Sequence, residues 1–126
     1  MRLLLDTHTL VWATTEPERV ATEALRLIES SENEVFVSVV SPWELAIKLS
    51  RRRIELPQVF YETLRDGQFG LLPVTIRHTE VIPALPHHHR DPFDRMLIAQ
   101  AQVEGLTLVT SDREIRRYPV SILPAA

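Results

Sequence analysis

Asp6, Glu44, Asp94 and Asp112 are scattered over more than a hundred residues, yet each occupies a comparable place in the local pattern. Asp6 follows "LLL" with no glycine or proline between, at the mouth of an apolar strand, and Asp112 closes "LTLVTSD". Glu44 in "SPWELAIK" and Asp94 in "DPFDRMLIAQA" stand near helix starts. Brought together, such carboxylates repel: at about 5 Å, two unit charges cost roughly 3 kcal/mol at an effective dielectric of about 20. Protonation or a bound cation must offset this. Oxygen donors in a chain without cysteine favour a hard ion, Mg²⁺ or Mn²⁺. An ion held in this way activates water for in-line attack on a phosphodiester.

Each acid also has a structural explanation. Glu44 completes a capping box with Ser41 and stands four residues before Lys48, a stabilising helical pair. Asp91 is a good N-cap, Pro92 fits the first helical position, and Asp94 completes that start signal. Ile98 and Ala101 share a helix face with Asp94, however, which turns its carboxylate inward. Asp112, followed by "REI", can cap a last short helix. Asp6 is the hardest to explain structurally, because solvation is poor at the end of a buried strand.

The elements that would position these acids alternate. Strands are expected at 3–5, 34–39, "GLLPVT", "LTLVTSD" and "VSIL". Helices are expected from Pro17 to Glu29, from Ser41 through "SRRR", from Pro57 to Arg65, over 76–84, and from 92 to 104 with Gly105 as the stop. This order predicts a three-layer α/β fold with a mainly parallel central sheet flanked by helices. In such a sheet, strand carboxyl ends and helix N-termini share one edge, where ligands bind. All four acids belong to that edge.

At 126 residues the chain is read as a single domain, 1–126. Its 44% hydrophobic and 25% charged residues are those of a globular protein with no membrane association. Asp6 and His8 interrupt the first apolar run, which excludes a signal peptide and points to the cytoplasm. The lack of cysteine excludes disulfides and thiolate zinc sites. A net charge of -3 gives no global case for nucleic-acid binding. Basic residues do cluster at Lys48 with Arg51, Arg52 and Arg53, at Arg90 with Arg95, and at Arg113 with Arg116 and Arg117; solvated helix ends account for each.

The series "LLLDTH", "SPWELAIK", "HRDPFDRMLIAQA" and "LVTSD" resembles the PIN-domain ribonucleases, specifically VapC-type toxins of toxin–antitoxin pairs, nearly end to end. "DPFDRMLIAQA" is its most specific part. The resemblance implies a metal-dependent endoribonuclease with Asp6, Glu44, Asp94 and Asp112 as its catalytic and metal-binding acids. Thr7 and Thr110 would be supporting hydroxyls. It further implies a homodimer, an RNA substrate and an antitoxin that blocks the acidic cleft. Single-stranded RNA is expected, since splayed nucleotides enter an edge crevice more readily than a duplex, and arginines would track the backbone. Similar sequences often carry a glycine where this chain has Arg52, so arginine is expected to prolong that helix.

Among His87, His88 and His89, only His89 matches the "H-x-DPFDR" pattern, and orientation rather than catalysis is expected of it. Arg95 would pair with a neighbouring acid or meet a phosphate. Trp12, Trp43, Phe36 and Phe93 are expected in the core and at the dimer surface. Three alternatives are less well matched. A receiver-like signalling domain would need an acid after "EVFVSV" and a lysine after "LTLVTSD". A phosphatase with an aspartate nucleophile would need an acid where His8 stands. A catalytically inactive module that only binds RNA or a partner would have no reason to keep four acids.

Overall fold

The computed structural model describes residues 1–126. In chain order the elements are β1 (Arg2–Leu5), α1 (Thr7–Thr15), α2 (Thr22–Glu29), β2 (Glu34–Ser38), α3 (Val40–Ser50), α4 (Gln58–Arg65), β3 (Gly70–Leu72), α5 (Ile76–Val81), α6 (Pro92–Glu104), β4 (Thr107–Thr110) and β5 (Ile122–Pro124). Short 3₁₀ turns lie at Pro17–Arg19, Ile82–Ala84 and Ile115–Arg117. All five strands are parallel, in the order β3-β2-β1-β4-β5.

The leucines of β1 divide the core by the two-residue period of a strand. Leu3 and Leu5 pack on one face with Leu10, Val37, Phe60 and Val109. Leu4 packs on the other with Leu97, Ile98, Leu108 and Ile115. Helices therefore cover both faces, and the three-layer α/β expectation holds.

Two expectations about helix starts need correction, and one helix had none. The stretch from Pro17 to Glu29 is not one helix: Val20 is extended and buried between the 3₁₀ turn and α2, and Ala21 N–H pairs with Ala125 C=O at 2.7 Å. Burying Val20 and tying the chain end in place outweighs helix continuity there. Ser41 is not an N-cap, since α3 begins at Val40 and Ser38 Oγ accepts from Val40 N–H at 3.1 Å. Pro42 is tolerated because first-turn N–H groups have no partner within the helix. Helix α1 has no counterpart in the sequence reading. Its apolar and threonine side chains are buried or half-buried around most of its circumference, so "THTLVWATT" shows no polar face to mark a helical period.

Arg52 does not prolong α3. The helix ends at Ser50, and Arg52 adopts φ +54°, the left-handed region that favours glycine. Arg52→Gly is therefore expected to stabilise the fold by about 0.5–1 kcal/mol, raising the melting temperature by about 2–4 °C. Thermal and urea unfolding would measure this, and a lower midpoint would mean that the Arg52 side chain makes stabilising contacts of its own.

Candidate active site

Strand order reverses at β1: β2 and β3 lie to one side, β4 and β5 to the other. The crevice at such a reversal is where open α/β sheets bind ligands. Asp6, the first residue after β1, sits at this point, and its N–H continues the ladder to Val109 C=O at 3.1 Å. Its side chain caps α1, with Oδ1 accepting from Thr9 N–H at 2.8 Å, while the Thr110 hydroxyl donates to Oδ2 from the end of β4. Asp6 is only 4% exposed. Burial pushes its pKa above the usual carboxylate value, and the hydrogen bonds from Thr110 and Thr9 oppose that rise.

Glu44 reaches the same edge from α3 and is buried. Thr7 Oγ1 donates to Glu44 Oε1 at 2.8 Å, and that single O–H leaves Ser41 as the donor in the 3.0 Å Ser41–Thr7 hydrogen bond. Lys48 Nζ lies 2.9 Å from Glu44 Oε2. Glu44 thus completes no capping box. Its carboxylate is fixed by a hydroxyl on one oxygen and a cation on the other.

Asp91 caps α6, its Oδ1 accepting from Phe93 N–H at 2.9 Å and Asp94 N–H at 3.0 Å. That turns Asp94 toward Asp6, Asp112 and Glu44. Asp112 lies two residues beyond β4; its N–H donates to Thr110 Oγ1, and its Oδ1 accepts from Glu114 N–H at 2.7 Å to start the last 3₁₀ turn. Asp94 has no comparable support. Its pKa rises to about 8, chiefly through burial and then through the charges of Asp91, Asp6, Asp112 and Glu44.

These groups line a cavity of about 150 Å³ with no hydrophobic wall: Asp6, Thr7, His8, Glu44, Lys48, Asp91, Asp94 and Asp112. The sequence reading gave His8 and Lys48 no role here. Their signals were present, as His8 follows Asp6 by two residues and Lys48 follows Glu44 by one helical turn. His89 enters from the loop before α6, and one ligand atom each from His89, Asp94 and Asp112 lies within 4.8 Å of the others. His89 Nε2 is buried without a hydrogen-bond partner, 3.5 Å from Asp94 Oδ2. Clustered oxygen donors and a carboxylate left without a hydrogen-bond donor fit a hard divalent cation.

Arg95 is not at this cavity's edge. It is buried, and its guanidinium donates to Pro86 C=O at 2.8 Å, Ile82 C=O at 3.1 Å, Leu85 C=O at 3.5 Å and Tyr118 Oη at 3.2 Å. The expected acid or phosphate partner is replaced by carbonyls, because the side chain runs under the 82–86 segment rather than toward solvent. Trp43 departs in the opposite direction: it is 60% exposed, edge-on to Phe93 at 5.2 Å between centroids. It borders an apolar groove of about 690 Å³ with Val39, Val74, Phe93 and Met96, set apart from the acids.

Comparison with known proteins agrees with this architecture. The sequence profile of the PIN domain matches residues 3–120. Ribonuclease VapC22 of Mycobacterium tuberculosis is 32% identical over 123 residues, which cover 92% of this chain and 91% of that protein. The structure of VapBC2 from Rickettsia felis bound to a DNA fragment from its promoter aligns with a TM-score of 0.77 at 18% identity, over 100% of both chains. DNA-bound VapBC from Salmonella typhimurium aligns at 0.67 and 19% identity, over 98% of this chain and 97% of that one. Both structural likenesses concern the fold. Profile and sequence relative together establish that the chain belongs to the PIN-domain family, on its VapC branch.

Proposed function

We propose that residues 1–126 act as one nuclease domain, a Mg²⁺- or Mn²⁺-dependent endoribonuclease serving as the toxin of a cytoplasmic toxin–antitoxin pair. The observation that carries this is the environment of Asp94, whose charge is opposed by four other acids and matched by no hydrogen-bonded cation. Support also comes from the relative named as a ribonuclease. Asp94 and Asp112, with Asp6 behind them, would hold the ion. An ion bound there supplies Lewis-acid chemistry, activating water and offsetting charge on the phosphate.

The chain's own groups then divide the remaining work. Thr110 and Thr9 fix the Asp6 carboxylate, and Thr7 fixes Glu44. Glu44 holds the Lys48 ammonium at the cavity, where it meets an incoming phosphate. Arg90 and Arg113, both exposed and adjacent in sequence to Asp91 and Asp112, track the flanking RNA backbone. An antitoxin protein covers the acidic cleft. A second copy of the chain covers the apolar groove around Trp43, where Val39 and Val74 are also exposed.

Three outcomes test this reading. Purified protein should cleave a mixed single-stranded RNA pool with Mg²⁺ or Mn²⁺ and not with EDTA, and Asp6→Asn and Asp94→Asn should each lower the rate by about a hundredfold or more while staying folded. Cleavage undiminished in EDTA overturns it. In EDTA, the folded protein holds one more proton on Asp94 than the unfolded chain between the ordinary value of 3.8 and about 8. Stability should therefore fall as pH rises through that window, by up to about 1.4 kcal/mol per pH unit, and Asp94→Asn should flatten the decline, leaving the like-signed contribution of Asp6. Urea titrations across the window measure this, and a decline unchanged in the variant would place the proton elsewhere. Finally, Trp43→Glu should convert a dimer into a monomer by light scattering, whereas an unaltered dimer would assign the interface to another face.

A further inference from the structure

His89 was expected only to orient, and the hydrogen bonds around it specify what it orients. Tyr118 Oη lies 3.2 Å from Arg95 Nη1, 3.2 Å from His89 N and 3.1 Å from His89 Nδ1. A guanidinium and a backbone N–H can only donate, so they occupy the two acceptor positions of the phenol oxygen. The phenol hydrogen then points to Nδ1, which must accept. An imidazole that accepts at Nδ1 carries its hydrogen on Nε2. That Nε2–H is buried, has no partner among the protein groups, and faces Asp94 Oδ2 at 3.5 Å.

The closeness of His89, Asp94 and Asp112 invites the reading that all three bind the ion. The tautomer argues against it, because a nitrogen that carries hydrogen offers no lone pair to a metal. We propose that His89 is a positioning residue for Asp94: its Nε2–H, fixed by Tyr118 and Arg95 and 3.5 Å from Oδ2, is placed to donate to that carboxylate oxygen when the ion takes the other. Hydrogen bonding of this kind orients ligating carboxylates. The chain of contacts gives Tyr118 and buried Arg95, neither of which reaches the cavity, a defined effect on the metal site. The inference rests on the metal-binding reading above.

Long-range ¹H–¹⁵N correlation spectra of the full, ¹⁵N-labelled chain report the tautomer directly. Expected is a protonated Nε2 and an unprotonated, hydrogen-bonded Nδ1 at His89, a pattern kept when Mg²⁺ saturates the protein. Loss of the Nε2 hydrogen on Mg²⁺ addition, or an Nδ1–H tautomer before it, overturns the proposal. Mg²⁺ calorimetry gives an independent reading. Tyr118→Phe and His89→Ala should weaken Mg²⁺ binding roughly 10- to 100-fold, and His89→Gln, whose amide N–H can reach the same carboxylate, should recover part of the loss. A flat titration of the wild type would overturn the metal-site reading itself. A wild type that binds Mg²⁺ no more tightly than Tyr118→Phe and His89→Ala would overturn the positioning role alone.

Discussion

Charge density at the end of the central strand is the constraint around which this sheet edge is organised. Asp6 is almost wholly shut off from water, and Asp94, Asp112 and Glu44 converge on the same small cavity. Backbone N–H groups soften this: Asp6 caps α1, Asp94 lies in the first turn of α6, and Asp112 Oδ1 accepts from Glu114 N–H ahead of the last 3₁₀ turn. A carboxylate gains about 0.3–1 kcal/mol at such a position, against roughly 3 kcal/mol of repulsion for each close pair. Dipoles alone therefore cannot hold four charges together. A proton or a cation completes the balance.

The compensation is unequally shared, and the inequality separates roles that the sequence leaves merged. Glu44 has Lys48 on one oxygen and Thr7 on the other, so its charge is already matched. Asp6 receives a hydroxyl and a backbone N–H. Asp94 receives neither, and its raised pKa follows from burial among like charges. The need for a proton or a cation is therefore concentrated at Asp94, with Asp112 beside it.

The strands and most helices were legible because their periods are simple. "LLL" alternates between the two faces of a covered sheet, and α6 is bracketed by Asp91 and Gly105 as its caps require. The gathering of the four acids at one edge also followed from the alternation of strands and helices. Helix α1 was hidden because burial around most of its surface removes the polar face that marks a helical period. The role of Lys48 was obscured for another reason. A Glu–Lys pair one turn apart looks the same in sequence whether it stands in solvent, as Glu23 and Arg26 do at their own spacing, or over a buried carboxylate cavity.

Arg95 shows how far a motif can act without touching the reaction. In "HRDPFDR", Asp91 caps the helix, Asp94 enters the cavity, and Arg95 faces away from both, under the 82–86 segment. Its fork spans the carbonyls of Ile82, Leu85 and Pro86 and still supplies a hydrogen to Tyr118. A lysine ammonium is a point donor on a flexible stem and cannot hold three carbonyls and a phenol in fixed directions at once. The planar guanidinium therefore sets the orientation of the Tyr118 hydroxyl, which sets the hydrogen on His89, which faces Asp94. A buried cation thereby reaches the acid site through hydrogen-bond direction rather than charge.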